Sequence, residues 1–364
     1  MADGSRRTCR YPRSVPHAAL LSPFPDGRSG GIERFCQQLS GVLRAGGWTA
    51  DIVGPGNEPS VWVDRLGGGA FARSRAAVSA AIAVRPDLVI GNNWLGWGTP
   101  RALAQIQVYH CTLVGLTRAA GGGLTPQDRF RRVTFQAACE ALGGRHATCV
   151  AVSQGVADEL RRYYRMRDPV VAGHGVDTAV FAPGDRSAAR SALGLDGPTA
   201  LFVGRAEWGK GADVAVQGAR DAGYAVLHAG LGTLPGATEL GALDSDDLAR
   251  AYRAADCLLL PTRYEAFGLA FAEAAACGTP IVAPPVGWMA DLLAAVPAYA
   301  QLSIEPTVES IAAGLRTLQQ ADTAPLTAAA REFTLATAGL DDFAARWLAL
   351  CNSAVAGRTA PLRG

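Results

Sequence analysis

Pro261-Thr262-Arg263-Tyr264-Glu265-Ala266-Phe267-Gly268-Leu269 leads on to Glu273-Ala274 and then to Gly278-Thr279-Pro280. Apolar runs at 257–260 and 280–283 flank this stretch. It therefore reads as strand, loop, helix, turn, strand, the repeating unit of a parallel α/β sheet. Glu265 falls in the loop before the helix, and Glu273 about one and a half turns inside it. Gly268, at the junction, lets the backbone come close to a ligand. The free amides of a helix start, together with the helix dipole, suit a phosphate. A carboxylate beside them can accept hydrogen bonds from sugar hydroxyls. Glu273 has apolar neighbours, Phe271, Ala272 and Ala274 to Cys277, and a carboxylate so placed needs a partner unless that face is exposed. The glutamate spacing alone is a weak signal; the pattern around it makes it specific.

The same alternation extends in both directions. In the first half, strands are expected at 17–22, 50–53, 87–90, 105–109, 148–152 and 169–172, with helices at 31–45, 71–84, 126–142 and 154–164. Residues 173–185 are less regular and read as a linker. The pattern restarts with strands at 199–203, 224–228, 257–260 and 280–283, and helices at 210–222, 247–254 and 268–277. A last amphipathic stretch, 341–351, carries Phe343, Trp347, Leu348 and Cys351 at helical spacing. At roughly 150 residues per domain, 364 residues make two domains. Two doubly wound α/β domains facing across a cleft follow, with ligands at the carboxyl ends of the strands. The expected divisions are a disordered extension at 1–16, a first domain at 17–176, a second at 177–340, and a terminal helix and tail at 341–364.

Composition narrows the function. A formal net charge of +2 makes no electrostatic case for nucleic acid. No run of about eighteen apolar residues exists, so no membrane span is expected. The eight cysteines lack the two-residue spacing of a zinc or redox motif and read as reduced thiols of a cytoplasmic protein. The five histidines show no ligand spacing, so no metal site is expected. Asp244-Ser245-Asp246 mimics a metal-binding Asp-x-Asp, but Leu248, Ala251 and Tyr252 follow at helical spacing, so a helix cap is the better account. Gly230-Leu231-Gly232 with Gly236 fails as a dinucleotide fingerprint, since the spacing is wrong and no helix follows.

Basic residues are almost all arginine; Lys210 is the only lysine. It and Arg205 lie just past the 199–203 strand, where an ammonium and a guanidinium can neutralise a diphosphate. The other reading of Lys210 is a solvated lysine at a helix start. Gly30 and Gly31 open the first helix, either as a simple turn or as amides facing a donor phosphate or acceptor. His110 ends a strand, where a lone histidine is otherwise a structural hydrogen-bonder. Asn93, Trp94 and Trp97 follow the 87–90 strand and offer a surface for stacking a sugar or ring, or for domain packing. Arg129-Phe130-Arg131-Arg132-Val133 is a basic amphipathic patch, either a solvated helix face or a contact for an anionic lipid or phosphorylated acceptor.

Residues 261–280 resemble the Glu-x7-Glu segment of the retaining family 4 (group 1) glycosyltransferases, which include sucrose synthase and many bacterial sugar transferases. Three further pieces stand in that family's order. Gly30-Gly31-Ile32-Glu33 resembles its Gly-Gly loop. Val152-Ser153-Gln154 to Leu160, with Gly175-Val176-Asp177 to Phe181-Ala182-Pro183, resembles its domain junction. Val203-Gly204-Arg205 to Lys210-Gly211 resembles its diphosphate loop. The resemblance covers roughly residues 17–350 and implies the GT-B fold, two Rossmann-like domains with the first binding acceptor and the second the nucleotide sugar. It implies that Glu273 holds the donor ribose and that Glu265 and His110 reach the donor sugar. It further implies that the amides of Phe267, Gly268 and Leu269 meet sugar and phosphate.

The expected reaction is metal-independent transfer, with retention, from a UDP- or GDP-linked sugar to a hydroxyl acceptor, with no cofactor beyond the nucleotide sugar. Glu265, His110, Lys210 and Arg205 are the candidate catalytic residues. Retention also fits the lack of an obvious base: His17 begins its strand, away from the carboxyl ends. Peripheral membrane contact is a secondary possibility. Three rival functions share the fold. A phosphorylase would need a lysine for pyridoxal phosphate, and the single lysine is already assigned; an epimerase-type enzyme and a non-catalytic nucleotide-binding module are the remaining two. Three departures from the family pattern stand out, one of them His174, which stands where an asparagine is common. The loop between His228 and Leu240 is short, which leaves the base open between uracil and guanine. Trp288 follows Gly287 where a second glycine is common, near the expected donor-sugar region.

Overall fold

The computed structural model describes residues 15–25, 31–56, 69–120 and 124–359. Gly30 and nearly all of the expected 1–16 extension lie outside the described residues. The alternation resolves into two all-parallel sheets. The first holds β1 (His17–Leu21), β2 (Thr49–Val53), β3 (Leu88–Asn92), β4 (Ala104–Tyr109), β5 (Thr148–Ala151) and β6 (Val170–Val171), in the order β2-β1-β3-β4-β5-β6. The second holds β7 (Thr199–Val203), β8 (Ala225–Ala229), β9 (Thr238–Gly241), β10 (Cys257–Leu259) and β11 (Ile281–Val282), in the order β11-β10-β7-β8-β9. β1, β3 and β4 are buried at every position, as strands covered on both faces must be.

Two glutamines in the buried β4 show how its polar groups are satisfied. Gln105 donates to the carbonyls of Gly96 and Gly143, and Gln107 to those of Asn93 and Leu95. They fasten the loop after β3 onto the neighbouring strand, since buried amides and carbonyls left unpaired are costly.

Three local departures have physical causes. The helix expected at 126–142 is α-helical over Pro126–Arg131, turns π over Arg132–Gln136, and is α-helical again over Ala137–Gly143. At the bulge the Thr134 hydroxyl donates to the Phe130 carbonyl at 2.6 Å, competing with the backbone ladder. The helix expected from Lys210 begins later. Trp208–Lys210 is a 3-10 turn, Gly211 takes φ 75°, and the α-helix runs Ala212–Asp221. A Cβ at Gly211 would lie 2.2 Å from the Pro261 carbonyl oxygen, so only glycine passes there. β9 was not expected; Thr238–Gly241 is a mostly exposed edge strand without apolar alternation.

Helices Arg186–Ala192, Trp288–Ala295, Val308–Gln320 and Ala324–Ala338 add to those expected, and the last helix is longer, Leu340–Thr359. That helix returns to the first sheet's side. Phe343 and Trp347 pack edge-on against Phe35 of the first helix, Gly31–Ala45, at 6.1 and 5.1 Å between ring centroids. Trp48 Nε1 donates to Asn352 at 3.2 Å. Asp244 caps the helix Ser245–Ala254 by accepting from the Asp247 amide at 2.9 Å, the role expected of the Asp-x-Asp mimic.

Glu140 is fully buried. Its Oε2 accepts from the Leu113 amide and the Tyr164 hydroxyl, and its Oε1 has no partner. Burial pushes its carboxyl up to about 8, so it is neutral in the fold at neutral pH. Over the interval between the ordinary carboxylate value and about 8, the folded state binds a proton that the unfolded state has lost. Stability from this group therefore falls as pH rises through that interval. Glu140→Gln is expected to flatten the decline, checked by thermal unfolding of both proteins across it; parallel curves would contradict a neutral Glu140.

Candidate active site

The carboxyl ends of β7 and β10 carry the 3-10 turn Trp208–Lys210 and the loop 261–268. Thr262 Oγ1 and the Arg263 amide both donate to the Gly209 carbonyl, at 3.1 and 2.9 Å. The Arg263 guanidinium grips both oxygens of Asp213, at 2.8 and 2.9 Å, and covers the Trp208 ring at 4.1 Å. These contacts bring the turn and the loop into register. The Lys210 ammonium reaches both Glu265 oxygens at 2.7 Å. Both side chains are less than a quarter exposed, so the pair is shielded and directional.

Gly268 takes φ 85° and starts the helix Leu269–Ala276 without a side-chain cap, leaving its first amides open. A Cβ there would lie 2.5 Å from the Phe271 ring. From the other side, Gly287 takes φ 56°, and a Cβ on it would lie 2.6 Å from the Phe267 carbonyl oxygen. The Trp288 amide donates to that same carbonyl at 2.7 Å. The Trp288 side chain turns inward, 2% exposed, with its ring 5.4 Å from that of Phe333. Trp288 thus lies next to the expected donor-sugar region through its backbone, while its indole fills the core.

Glu273 is buried and has two partners. The Tyr252 hydroxyl donates at 3.1 Å, and Arg34 of the first helix approaches at 3.4 Å, crossing from the other sheet's side. Burial raises the Glu273 carboxyl, and Arg34 and Tyr252 oppose the rise. Neither partner was foreseen. The signal for Arg34 was its position one turn past the Gly-Gly loop.

His110 lies at the end of β4, with Nε2 2.8 Å from Asn92 Oδ1. Asn92 Nδ2 donates to the Leu21 carbonyl, so its oxygen is the acceptor, and His110 carries its proton on Nε2. Nδ1 is then an acceptor. Burial, with His174 nearby, holds the imidazole well below its ordinary value, so it is neutral. His174, 5.3 Å away between centroids, is lowered to about 4 by burial and by Arg34. His174 in turn stacks tilted on Phe267 at 5.1 Å, which links the β4 side to the 261–268 loop.

Not every expected residue converges. The Arg205 guanidinium lies on Glu207 at 3.1 Å in an exposed position, and among the described residues no contact joins it to Lys210. Gly31 begins its helix with open space where a Cβ would stand. Asn93 is committed internally: Oδ1 accepts from the His110 amide at 2.7 Å and Nδ2 meets Cys111 Sγ. Trp97 packs edge-on against Phe71 at 4.7 Å, and Trp94 lies under Arg73 at 5.5 Å. Their geometry favours packing at the end of β3. Across the cleft, Tyr264 donates to Glu159, which also accepts from Thr112, and Ser153 donates to the Ala266 carbonyl.

Residues 197–321 match the family model described as glycosyl transferases group 1, and residues 29–180 match that of glycosyltransferase family 4. Among curated proteins the chain is similar to D-inositol 3-phosphate glycosyltransferases. That of Mycolicibacterium vanbaalenii is 32% identical over 55% of this chain and 52% of its own length. That of Acidothermus cellulolyticus is 33% identical over 58% and 56%. The chain thus spans about half the length of these curated relatives. Sucrose-phosphate synthase from Thermosynechococcus elongatus superposes with a TM-score of 0.78 at 23% identity, covering 94% of this chain and 100% of that one. The catalytic domain of starch synthase IV from Arabidopsis thaliana, bound to ADP and acarbose, gives 0.64 at 13% identity over 94% and 100%. These likenesses show the fold, the GT-B arrangement of two α/β units.

Two glycines test the architecture of the site. Gly268→Ala places a side chain at positive φ against Phe271 and is expected to destabilise by about 1–3 kcal/mol in urea unfolding. Gly31→Ala, facing open space, is expected to leave stability within about 0.5 kcal/mol or to raise it. Equal effects would contradict the tight threading at Gly268.

Proposed function

The chain belongs to the group 1, family 4 glycosyltransferases, and we propose that it transfers a sugar, with retention, from a UDP- or GDP-linked donor to an acceptor hydroxyl. The observation that carries this reading is the Lys210–Glu265 pair, held beside the open helix start at Gly268 with Glu273 buried behind it. One compact region thus offers a cation and free amides for a diphosphate, one carboxylate for sugar hydroxyls and another for ribose hydroxyls.

In this reading Lys210 and the amides of Phe267, Gly268 and Leu269 stabilise the negative charge that grows on the departing diphosphate. Arg205 turns from exposed Glu207 to join them. Glu273, oriented by Tyr252 and Arg34, accepts from the ribose, and Glu265 from the donor sugar. His110, neutral with its Nε2 proton committed to Asn92, presents Nδ1 as a hydrogen-bond acceptor to a sugar hydroxyl. The acceptor hydroxyl enters on the face that the diphosphate leaves. Its oxygen bonds to the anomeric carbon as the bond from that carbon to phosphate oxygen breaks, and its proton passes to a phosphate oxygen. Configuration is kept. The positive charge that a metal would bring is supplied by Lys210 and the helix start, so the reaction is proposed to need none and no further cofactor. Names of the curated relatives make a phosphorylated polyol the first acceptor to try.

The test measures nucleotide release from UDP- and GDP-sugars with candidate acceptors, and anomeric coupling constants in the product. An α-linked donor should give an α-linked product, with activity surviving excess EDTA; a β-linked product would end the retaining assignment. Lys210→Ala is expected to lose on the order of tenfold to a thousandfold in donor efficiency. Glu273→Gln should weaken binding of free UDP or GDP, while Glu265→Gln lowers turnover with nucleotide affinity nearly intact. Unchanged kinetics in Lys210→Ala would remove the diphosphate assignment.

A further inference from the structure

Behind the diphosphate loop lies a buried polar pair that sugar transfer does not consume. His228 in β8 is fully buried, edge-on to Phe202 of β7 at 5.6 Å between centroids. Its Nδ1 lies 2.6 Å from Glu239 Oε2 in β9, and its Nε2 lies 2.8 Å from the Gly204 carbonyl oxygen. A carbonyl can only accept. The Glu239 carboxylate is held in its ionised form, since its Oε1 takes the Leu234 amide at 2.6 Å and its Oε2 faces the ring. A neutral imidazole has one N–H and would meet one of these two oxygens lone pair to lone pair. A proton on each ring nitrogen gives both oxygens a donor.

We propose that His228 is a positioning residue of the nucleotide site, held as an imidazolium that ties the loop after β7 to the loop after β8. The proposal rests on reading Gly204 to Gly211 as the diphosphate loop. The two loops are in backbone contact: the Ala206 amide donates to the Leu231 carbonyl at 2.9 Å, and the Gly204 amide to the Ala229 carbonyl at 2.9 Å. A Cβ at Gly230 would lie 1.9 Å from the Gly204 carbonyl oxygen and 3.1 Å from His228 Nε2, so the approach leaves no room for a side chain. His228 pins the Gly204 carbonyl from beneath, and Glu239 pins Leu234 in the second loop. Together they form one wall from the diphosphate loop to residues 230–234, the short loop at the end of β8 where a nucleobase would lie. A wall set before binding spares the nucleotide the cost of ordering it.

The experiment combines a spectrum with calorimetry on the full chain. In protein carrying 15N-labelled histidine, the His228 signals, assigned by their loss in His228→Phe, are expected to show two protonated ring nitrogens at neutral pH. In Glu239→Gln one of them should lose its proton, with the bond to Gly204 kept. His228→Phe, of similar volume without donors, is expected to weaken UDP or GDP binding about tenfold or more, the scale of one charge-assisted contact. Turnover at saturating donor should change far less. If His228→Phe does not fold, Glu239→Gln carries the test, with a smaller loss of nucleotide affinity in the same direction. A single protonated nitrogen in the wild-type spectrum overturns the imidazolium. Unchanged nucleotide affinity in both variants overturns the positioning role. A wild-type chain that binds neither UDP nor GDP overturns the nucleotide reading itself and the role that rests on it, while the spectrum still decides the state of the ring.

Discussion

Residues 264–268 are held at every step, by side chain or by backbone. Tyr264 donates to Glu159 from across the cleft, Glu265 is locked to Lys210, and Ser153 donates to the Ala266 carbonyl. The Trp288 amide takes the Phe267 carbonyl, and Gly268 turns at positive φ into the helix behind it. Partners come from the junction helix Gln154–Tyr164 and its cap, from the turn after β7 and from the start of Trp288–Ala295. Five residues thus meet elements from both sheets, and the remaining site geometry follows from where this loop is held. Such restraint matters for catalysis because a donor group displaced by about 1 Å loses much of its advantage.

Charge is arranged around the loop by burial. Glu273 is kept near a guanidinium and a phenol because a lone buried carboxylate is costly. His110 and His174 stand close together and stay neutral, since burial disfavours the imidazolium in both, helped by His174 at the first and by Arg34 at the second. His228 is the opposite case. It is more deeply buried than His110, yet it faces two oxygens rather than another imidazole and a cation. Partner chemistry, more than depth, separates the two histidines.

Much of the framework was legible in the chain. Short apolar runs alternating with period-3.6 runs located ten of the eleven strands, because a parallel strand covered on both faces is apolar along its length. The exception, β9, is a polar edge that carries no such signature, and Glu239 lies on it. Lys210 and the two glutamates stood out from their setting. Arg34, Tyr252, Glu159 and Ser153 did not, because each acts on a residue more than twenty positions away in sequence. No local pattern encodes such a meeting.

Sequence by itself determined the two α/β units, the helix start at Gly268 and the residue types able to meet a diphosphate, because these depend on local periodicity, backbone permissiveness and charge. Only the tertiary structure decided which of those groups converge. It paired Lys210 with Glu265, turned Arg205 outward to Glu207, sent the Trp288 indole into the core and committed Asn93 to His110. Each of these outcomes is a competition between one side chain and partners brought in by distant strands, and it is settled by burial and geometry after the sheets have packed.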